Sequence, residues 1–408
     1  MRICIVSQEY PPETAKGGIG TQAIAKARGL AKRGHDVEVI SRSLDGRQAE
    51  SFDNSIRITR VASTPMAVYT AIADWLTHSA AVTAAISAAH DRRPFDLVEF
   101  PEWACEGYVH LLNRCEWNHM PTIIHLHGPL AMLAETIGWP DRESEFCRVG
   151  RQMEATCLRL ADAVYSSSEC SADWVAREYG LPRGGIPVLH TGVDTELFGP
   201  LDGMKAARPT IVFAGKLARN KGIGLLVEAV LRLADDFPGL RLQILGRGEA
   251  DVVAELRAAA ALHGRTDLLE LVGFVNRQQI PNYFSQAHVF AAPSRYEGGP
   301  GFVYLEAMAC GLPVIACEGS GAAEVVQPGV TGFLIPPGDV EALSAALRTL
   351  ISDPVRAVSM GRAARQSVIE TAESETCLDR LEAYYAAIVQ QRGSANGSRA
   401  TFRREVIV

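Results

Sequence analysis

Lys216 and Lys221 stand five residues apart in Gly215-Lys216-Leu217-Ala218-Arg219-Asn220-Lys221-Gly222, directly after the apolar run Ile211 to Ala214. Two cations converging at a strand end can neutralise both phosphoryl groups of a diphosphate. The plainer reading of the same residues is a pair of solvated surface lysines.

Pro293 to Pro313 is denser. It runs Pro293-Ser294-Arg295-Tyr296-Glu297-Gly298-Gly299-Pro300-Gly301-Phe302 and then Val303-Tyr304-Leu305-Glu306-Ala307-Met308-Ala309-Cys310-Gly311-Leu312-Pro313. A glycine-rich turn leads straight into a helical stretch, so backbone N–H groups would face whatever lies above the strands. Glu306, about a turn into that helix, can accept from ribose hydroxyls. Glu297, on the approach loop, can accept from a sugar hydroxyl or stabilise developing positive charge. Either carboxylate could equally be a solvated surface group. A third glycine cluster, Gly17-Gly18-Ile19-Gly20 after Lys16, lies between a first strand and a first helix. Glycine lets a backbone approach an anion closely. The cluster is not the GxGxxG fingerprint, no GxxxxGK[ST] occurs, and alone it reads equally well as a tight turn.

The elements that must carry these residues alternate. In the first half, the strand Ile3 to Val6 is followed by the glycine loop, a helix from Thr21 to Arg33 and a strand from Val37 to Ile40. Short apolar runs recur at Leu97-Val98, Ile123-Ile124, Ala163 to Tyr165 and Val188-Leu189, with a helical segment from Ala71 to Ala89. Pro200-Leu201-Asp202-Gly203 reads as a linker. Strands then follow at Thr210 to Ala214, Leu242 to Leu245, Leu269 to Val272, Val289-Phe290 and Val314-Ile315. Helical patterns separate them, at Gly224 to Ala234, Val252 to Ala261, Ile280 to Gln286 and Phe302 to Ala309. The alternation predicts an α/β protein of two doubly wound, Rossmann-like domains. The expected division is 1–200 and 201–375. Ligands of such sheets sit outside the carboxyl ends of the strands, so two facing domains would place the site in the cleft between them. Two late helices are expected, Val340 to Leu350 and Thr376 to Gln390, with a frayed tail after Gly393.

With 408 residues, 47% hydrophobic and 21% charged, the chain can bury sizeable cores. A formal net charge of -7 with no basic tract argues against nucleic acid as a partner. No run of 18 apolar residues reads as a membrane span, and the N-terminal run is too short for a signal peptide, so a cytoplasmic protein is expected. Nine scattered cysteines without a CxxC pair read as free, mostly buried thiols. No cofactor or metal is expected: carboxylates, histidines and cysteines do not gather at ligand spacing, and Asp141 and Glu143 are better explained by a solvated loop.

Taken together, these motifs resemble the retaining GT-B glycosyltransferases called family 4, or glycosyl transferases group 1, over nearly the whole chain. The matching pieces occur in the family's order: Gly17, Gly18 and Gly20; Thr191-Gly192-Val193-Asp194 with Phe198; Gly215-Lys216 and Lys221-Gly222; Gly246-Arg247-Gly248; Gly273-Phe274-Val275; and Pro293 to Val314. The resemblance implies that Lys216 and Lys221 hold a donor diphosphate, that Glu306 binds the ribose and that Glu297 bears on the transferred sugar. It further implies that Gly299, Pro300, Gly301 and Phe302 present backbone N–H groups, that Gly215 and Gly246 border the donor, and that Phe274 and Val275 meet the base. His127, in His125-Leu126-His127-Gly128-Pro129, matches the family histidine near the sugar's 6-hydroxyl. The last helix, about 376–391, would cross back to the first domain.

Three residues depart from the family pattern. Lys216 stands where an arginine is usual, which keeps charge and loses the bidentate fork. Thr191 stands for an asparagine. Eight residues rather than seven separate Glu297 from Glu306. A bulge in the glycine loop would absorb the extra residue and keep Glu297 in reach. The implied reaction is retaining transfer of a hexosyl or N-acetylhexosaminyl group from a nucleotide-sugar, a UDP-sugar before GDP-mannose, to a small-molecule, glycan or lipid-linked hydroxyl. A nucleotide-sugar epimerase and a non-catalytic binding protein of the same fold are the competing readings. Trp75, Trp103, Trp117 and Trp139 could stack on an acceptor or simply pack in the core. A homodimer stays open, as does weak membrane contact through Arg28, Lys32 and Arg33.

Overall fold

The computed structural model describes residues 1–12, 17–63, 71–115, 119–190 and 192–399, with side chains as far as 391. Lys16, Trp117 and Thr191, singled out in the sequence, lie outside the described residues. The chain divides into two compact units. Unit 1 takes Met1–Thr191 with Cys377–Val408, and unit 2 is Gly192–Thr376.

Unit 1 is built on seven strands: β1 (Arg2–Val6), β2 (Asp36–Arg42), β3 (Ala49–Asp53), β4 (Ile56–Val61), β5 (Leu97–Pro101), β6 (Thr122–Leu126) and β7 (Ala163–Ser166). Their order is β3-β4-β2-β1-β5-β6-β7. All neighbours are parallel except β3, which pairs antiparallel with β4. Ile3 stands between Val37 and Leu97 in register. Parallel strands are covered on both faces, which is why they read as near-continuous Val, Ile and Leu runs. The core formed by Ile3, Ile5, Val37, Val39 and Leu97 also takes in Leu378, Leu381 and Tyr385 from the helix Ser374–Arg399. Leu378 lies so close to Gly29 that a Cβ there would stand 2.4 Å from its Cδ1.

Unit 2 carries β8 (Thr210–Ala214), β9 (Arg241–Leu245), β10 (Leu269–Gly273), β11 (Val289–Ala291), β12 (Val314–Cys317) and β13 (Gly332–Ile335). All pair parallel, in the order β10-β9-β8-β11-β12-β13. This is the doubly wound, Rossmann-like order, and it reverses between β8 and β11. Unit 1 without its β3 edge has the same order and reverses between β1 and β5. The chain is thus two Rossmann-like α/β units.

Several elements differ from the expectation. The first helix begins at Gly18, so Gly18 and Gly20 belong to its first turn rather than to a loop. Val188-Leu189 forms no strand; Val188 makes one isolated bridge to Ser166. The β3–β4 hairpin, β13 and the helices Glu145–Leu160, Glu169–Tyr179 and Pro354–Thr371 were not marked by the sequence pattern. The last helix stays helical to Arg399 rather than fraying at Gly393.

Candidate functional site

In unit 2 the loops after β8 and β11 flank the reversal of strand order, where ligands of such sheets bind. The turn Arg219–Lys221 after β8 and the loop after β11 are fastened to each other. Arg295 N–H donates to Asn220 O at 2.9 Å, and Ser294 Oγ to the same oxygen at 3.4 Å. Gly222, at φ +70°, closes the turn, and a Cβ there would stand 2.1 Å from Pro293 O. Only glycine lets the two backbones meet in that way. The second close approach joins Gly246 after β9 to Gly215 after β8: a Cβ on Gly246 would stand 1.8 Å from Gly215 O.

This scaffold brings Lys221 and Glu297 together. Lys221 Nζ donates to Glu297 Oε1 at 2.7 Å, both side chains being half-buried. Glu297 is held from behind as well, its carbonyl accepting from Gly321 N–H at 2.9 Å. The Glu297 Cδ lies 3.9 Å from where a Cβ on Gly301 would be, so the carboxyl borders the glycine turn despite the extra residue in the loop. Gly299 and Gly301 are half-buried and Pro300 is buried. Gly301 precedes the helix Phe302–Ala309 and has no side chain to cap it; the Tyr304 N–H turns back to Gly301 O at 3.1 Å, and the Phe302 and Val303 N–H groups stand ahead of it at the helix start. Lys216 is exposed.

Glu306 is 4% exposed and pairs with Arg277, whose Nη2 lies 2.7 Å from Oε1. Burial raises the Glu306 carboxyl above the usual range, and the guanidinium partly offsets that. Nothing in its local sequence marks Arg277. Its position two residues beyond Val275, in the loop after β10, is the signal that could have found it. Phe274 is exposed with the Arg247 guanidinium over its ring, and Val275 packs partly against the unit 2 core.

In unit 1 the first-helix glycines meet an internal carboxylate. Gly20 N–H donates to Glu9 Oε2 at 3.3 Å, and a Cβ on Gly17 would stand 3.2 Å from that oxygen. The helix start thus already holds an anion supplied by the chain. His127 follows β6. Its backbone N–H donates to Glu102 Oε2 at 2.7 Å, and the Gly128 N–H donates to the other oxygen of the same carboxylate. Glu102 itself, 1% exposed, is pushed up to about 8 by burial, against the pull of those two N–H groups. The His127 ring packs on His125 at 3.9 Å between centroids, and its Nδ1 is buried with no hydrogen-bond partner among the described residues. Burial, with the Lys26 ammonium as a lesser cause, brings the imidazole down to about 3. The ring is therefore neutral at ordinary pH.

Beneath it lies a buried polar cluster. Lys26 pairs with Glu99 and donates to Tyr165 Oη at 2.7 Å. Its Nζ lies 3.1 Å from His125 Nδ1. Tyr385 from the C-terminal helix donates to Glu99 Oε2. These partners lie far apart in sequence, and no local pattern announces them.

The tryptophans split. Trp75 is 9% exposed, whereas Trp139 is 54% exposed and stacks on Trp103 at 6.4 Å. Arg28 and Arg33 are engaged in ion pairs, with Asp53 at 2.8 Å and Asp379 at 2.7 Å. All nine cysteines are free and most are buried. Among the described residues, no group of three or more His, Cys, Asp or Glu could hold a metal ion, and no helix is long and apolar enough to cross a membrane.

Residues 208–353 match the family described as glycosyl transferases group 1, and residues 16–197 match Glycosyltransferase Family 4. The alpha-maltose-1-phosphate synthase of Mycolicibacterium smegmatis is 30% identical over 398 residues, 91% of this chain and 95% of that protein. Among solved structures, the sucrose-phosphate synthase of Thermosynechococcus elongatus superposes with a TM-score of 0.82 at 23% identity, over 96% of this chain and 99% of that one. Anabaena HepE in complex with UDP-glucose superposes with a TM-score of 0.74 at 20% identity, over 95% and 100%.

Proposed function

This chain belongs to the GT-B glycosyltransferases of family 4, group 1, and on that premise we propose that it is a retaining enzyme that uses a UDP-sugar, with its donor held in the loops after β8 and β11. As a glycosyltransferase it moves a sugar from a nucleotide-sugar to an acceptor. The observation that carries the finer reading is the Lys221–Glu297 pair at the reversal of strand order. One side chain of the pair suits a diphosphate and the other suits a polyol or a developing cation, and the loop geometry sets them side by side.

In this reading Lys216 and Lys221 take the negative charge that grows as the anomeric carbon–oxygen bond breaks. The first-turn N–H groups of the helix Phe302–Ala309 add to that stabilisation. The acceptor hydroxyl attacks from the face the diphosphate leaves, and its proton passes to the departing phosphate oxygen, so no separate base is needed. Glu297 acts on the sugar, Glu306 on the ribose, and Phe274 and Val275 border the base. His127 is the unit 1 candidate for a contact with the sugar's 6-hydroxyl. Its neutral ring suits a hydrogen bond better than a charge interaction. A UDP-sugar accords with the UDP-glucose complex of one fold neighbour. The acceptor is read as a hydroxyl of a small molecule, glycan or lipid-linked sugar.

A thermal-shift panel of UDP-, GDP-, ADP- and dTDP-sugars tests the donor, since a ligand of the folded state stabilises according to its occupancy. The expected leader is a UDP-sugar. A lead for GDP-mannose would overturn that choice. Stereochemistry of the product glycoside, read by proton NMR, tests retention: an inverted anomeric centre would overturn the mechanism.

A further inference from the structure

Arg277 is held in an unusual setting. Its guanidinium carbon lies 5.3 Å from the ring centre of Phe198 and 5.6 Å from that of Phe302. Its Nε is buried without a hydrogen-bond partner among the described residues, and its Nη2 reaches Glu306 Oε1 at 2.7 Å. Phe302 and Glu306 are four residues apart on one helix, so they share a face, and Arg277 lies against both. A planar guanidinium can stack on aromatic rings and grip a carboxylate at once, which an ammonium cannot do.

We propose that Arg277 is the positioning residue of the nucleoside subsite: fixed by Phe198 and Phe302, it holds one oxygen of Glu306 and so aims the other at the ribose hydroxyls of the donor. This rests on the reading that Glu306 faces the ribose. A carboxylate buried to this degree needs a partner to stay ionised, and a second oxygen kept in one orientation is a stronger acceptor than one free to rotate. Arg277 follows Phe274 and Val275 closely, so the same short segment would border the base and orient the ribose acceptor. Recognition of base and of sugar hydroxyls would then depend on one loop. Because the acceptor is Glu306, the subsite should distinguish ribonucleotides from deoxyribonucleotides.

The test is calorimetric affinity of the full-length protein for UDP and 2′-deoxy-UDP, and for GDP and 2′-deoxy-GDP, in the wild type and in Arg277→Gln, Arg277→Lys and Glu306→Gln. The wild type should prefer the ribose form by about tenfold or more. Glu306→Gln and Arg277→Gln should bring that ratio close to one, and Arg277→Lys should restore part of it. If Glu306→Gln loses the preference and Arg277→Gln keeps it, Arg277 is a structural ion-pair partner only and the proposal fails while the subsite stands. If Glu306→Gln keeps the wild-type ratio, Glu306 does not face the ribose and both readings fall. Weaker binding of both forms by an equal factor in Arg277→Gln would also overturn the proposal. Should Arg277→Gln not fold, Arg277→Lys decides: a ratio equal to the wild type's removes any need for the guanidinium fork.

Discussion

Lys221 Nζ lies 2.7 Å from Glu297 Oε1, so the ammonium read as a diphosphate clamp is also the counter-ion of the carboxylate read as the sugar contact. A bound diphosphate would have to share that ammonium with Glu297 or take it over. The two residues should therefore act as a unit in mutational measurements. Lys221→Ala should weaken nucleoside diphosphate binding by roughly 1.5–3 kcal/mol, the range for a hydrogen bond to a charged group. Glu297→Gln keeps the shape and removes the competing charge. It should bind the diphosphate at least as well as the wild type and lower kcat by about tenfold or more. Calorimetry and steady-state transfer on both single variants and the double variant check this. Strict additivity, or a wild-type kcat in Glu297→Gln, would show that the pair plays no part in turnover.

Gly222→Ala should disrupt the clamp without touching either lysine. The added Cβ would sit 2.1 Å from Pro293 O at a φ of +70°, so the turn must separate from the loop after β11. Strain of this kind costs on the order of 1–3 kcal/mol. The expected result is a lower Tm together with weakened nucleotide binding. A variant with wild-type Tm and wild-type affinity would mean that the contact is slack.

His127 should make the protein acid-sensitive. Its imidazole is held down to about 3, against 6.5 in an unfolded chain. Between those values the unfolded state binds the extra proton, so stability falls as pH drops from 6.5 toward 3. For one such group the slope is about 1.4 kcal/mol per pH unit. His127→Asn should lower the slope by about that share, leaving the part due to His125 and His110, which burial also holds down. Chemical denaturation of both proteins at several pH values between 4 and 7 gives the comparison, and identical slopes would place the ring in water.

Transfer should survive dialysis against EDTA. Among the described residues no cluster of ligands could hold a metal ion, and the cationic side chains after β8 can meet the diphosphate charge directly. Loss of activity that magnesium or manganese restores would contradict this.

The parts of the fold that could be read from the sequence are those with a local cause. Parallel strands such as β1, β8 and β9 are buried on both faces, so each appears as an apolar run. The β3–β4 hairpin escaped notice because β3 is a half-exposed edge strand, Ala49-Glu50-Ser51-Phe52-Asp53, with no such run. Val188-Leu189 is apolar enough to pass for a strand, yet the segment makes a single isolated bridge, from Val188 to Ser166 at the end of β7, with the Leu189 N–H donating to Ser166 O at 2.9 Å. The same division holds at the site. Glycine turns and lysines close in sequence announce themselves, and the structure sets Lys221, Glu297 and Gly301 around one turn. Arg277 with Glu306, Glu102 with the His127 loop, and Lys26 with Glu99 are pairings across many residues. No spacing rule encodes them, because each depends on which strands become neighbours.

The C-terminal helix has a consequence for the order in which the protein can be completed. Unit 2 is continuous in sequence, whereas the core of unit 1 includes Leu378, Leu381 and Tyr385. On the ribosome, every residue of unit 2 is made before those three exist. Until then unit 1 lacks the leucine that fills the notch at Gly29, and Glu99 lacks the Tyr385 hydroxyl. Domains usually mature in the order of synthesis. Here the domain begun first is finished last, and a nascent chain stalled inside unit 2 displays an unsealed apolar face to whatever chaperones attend it.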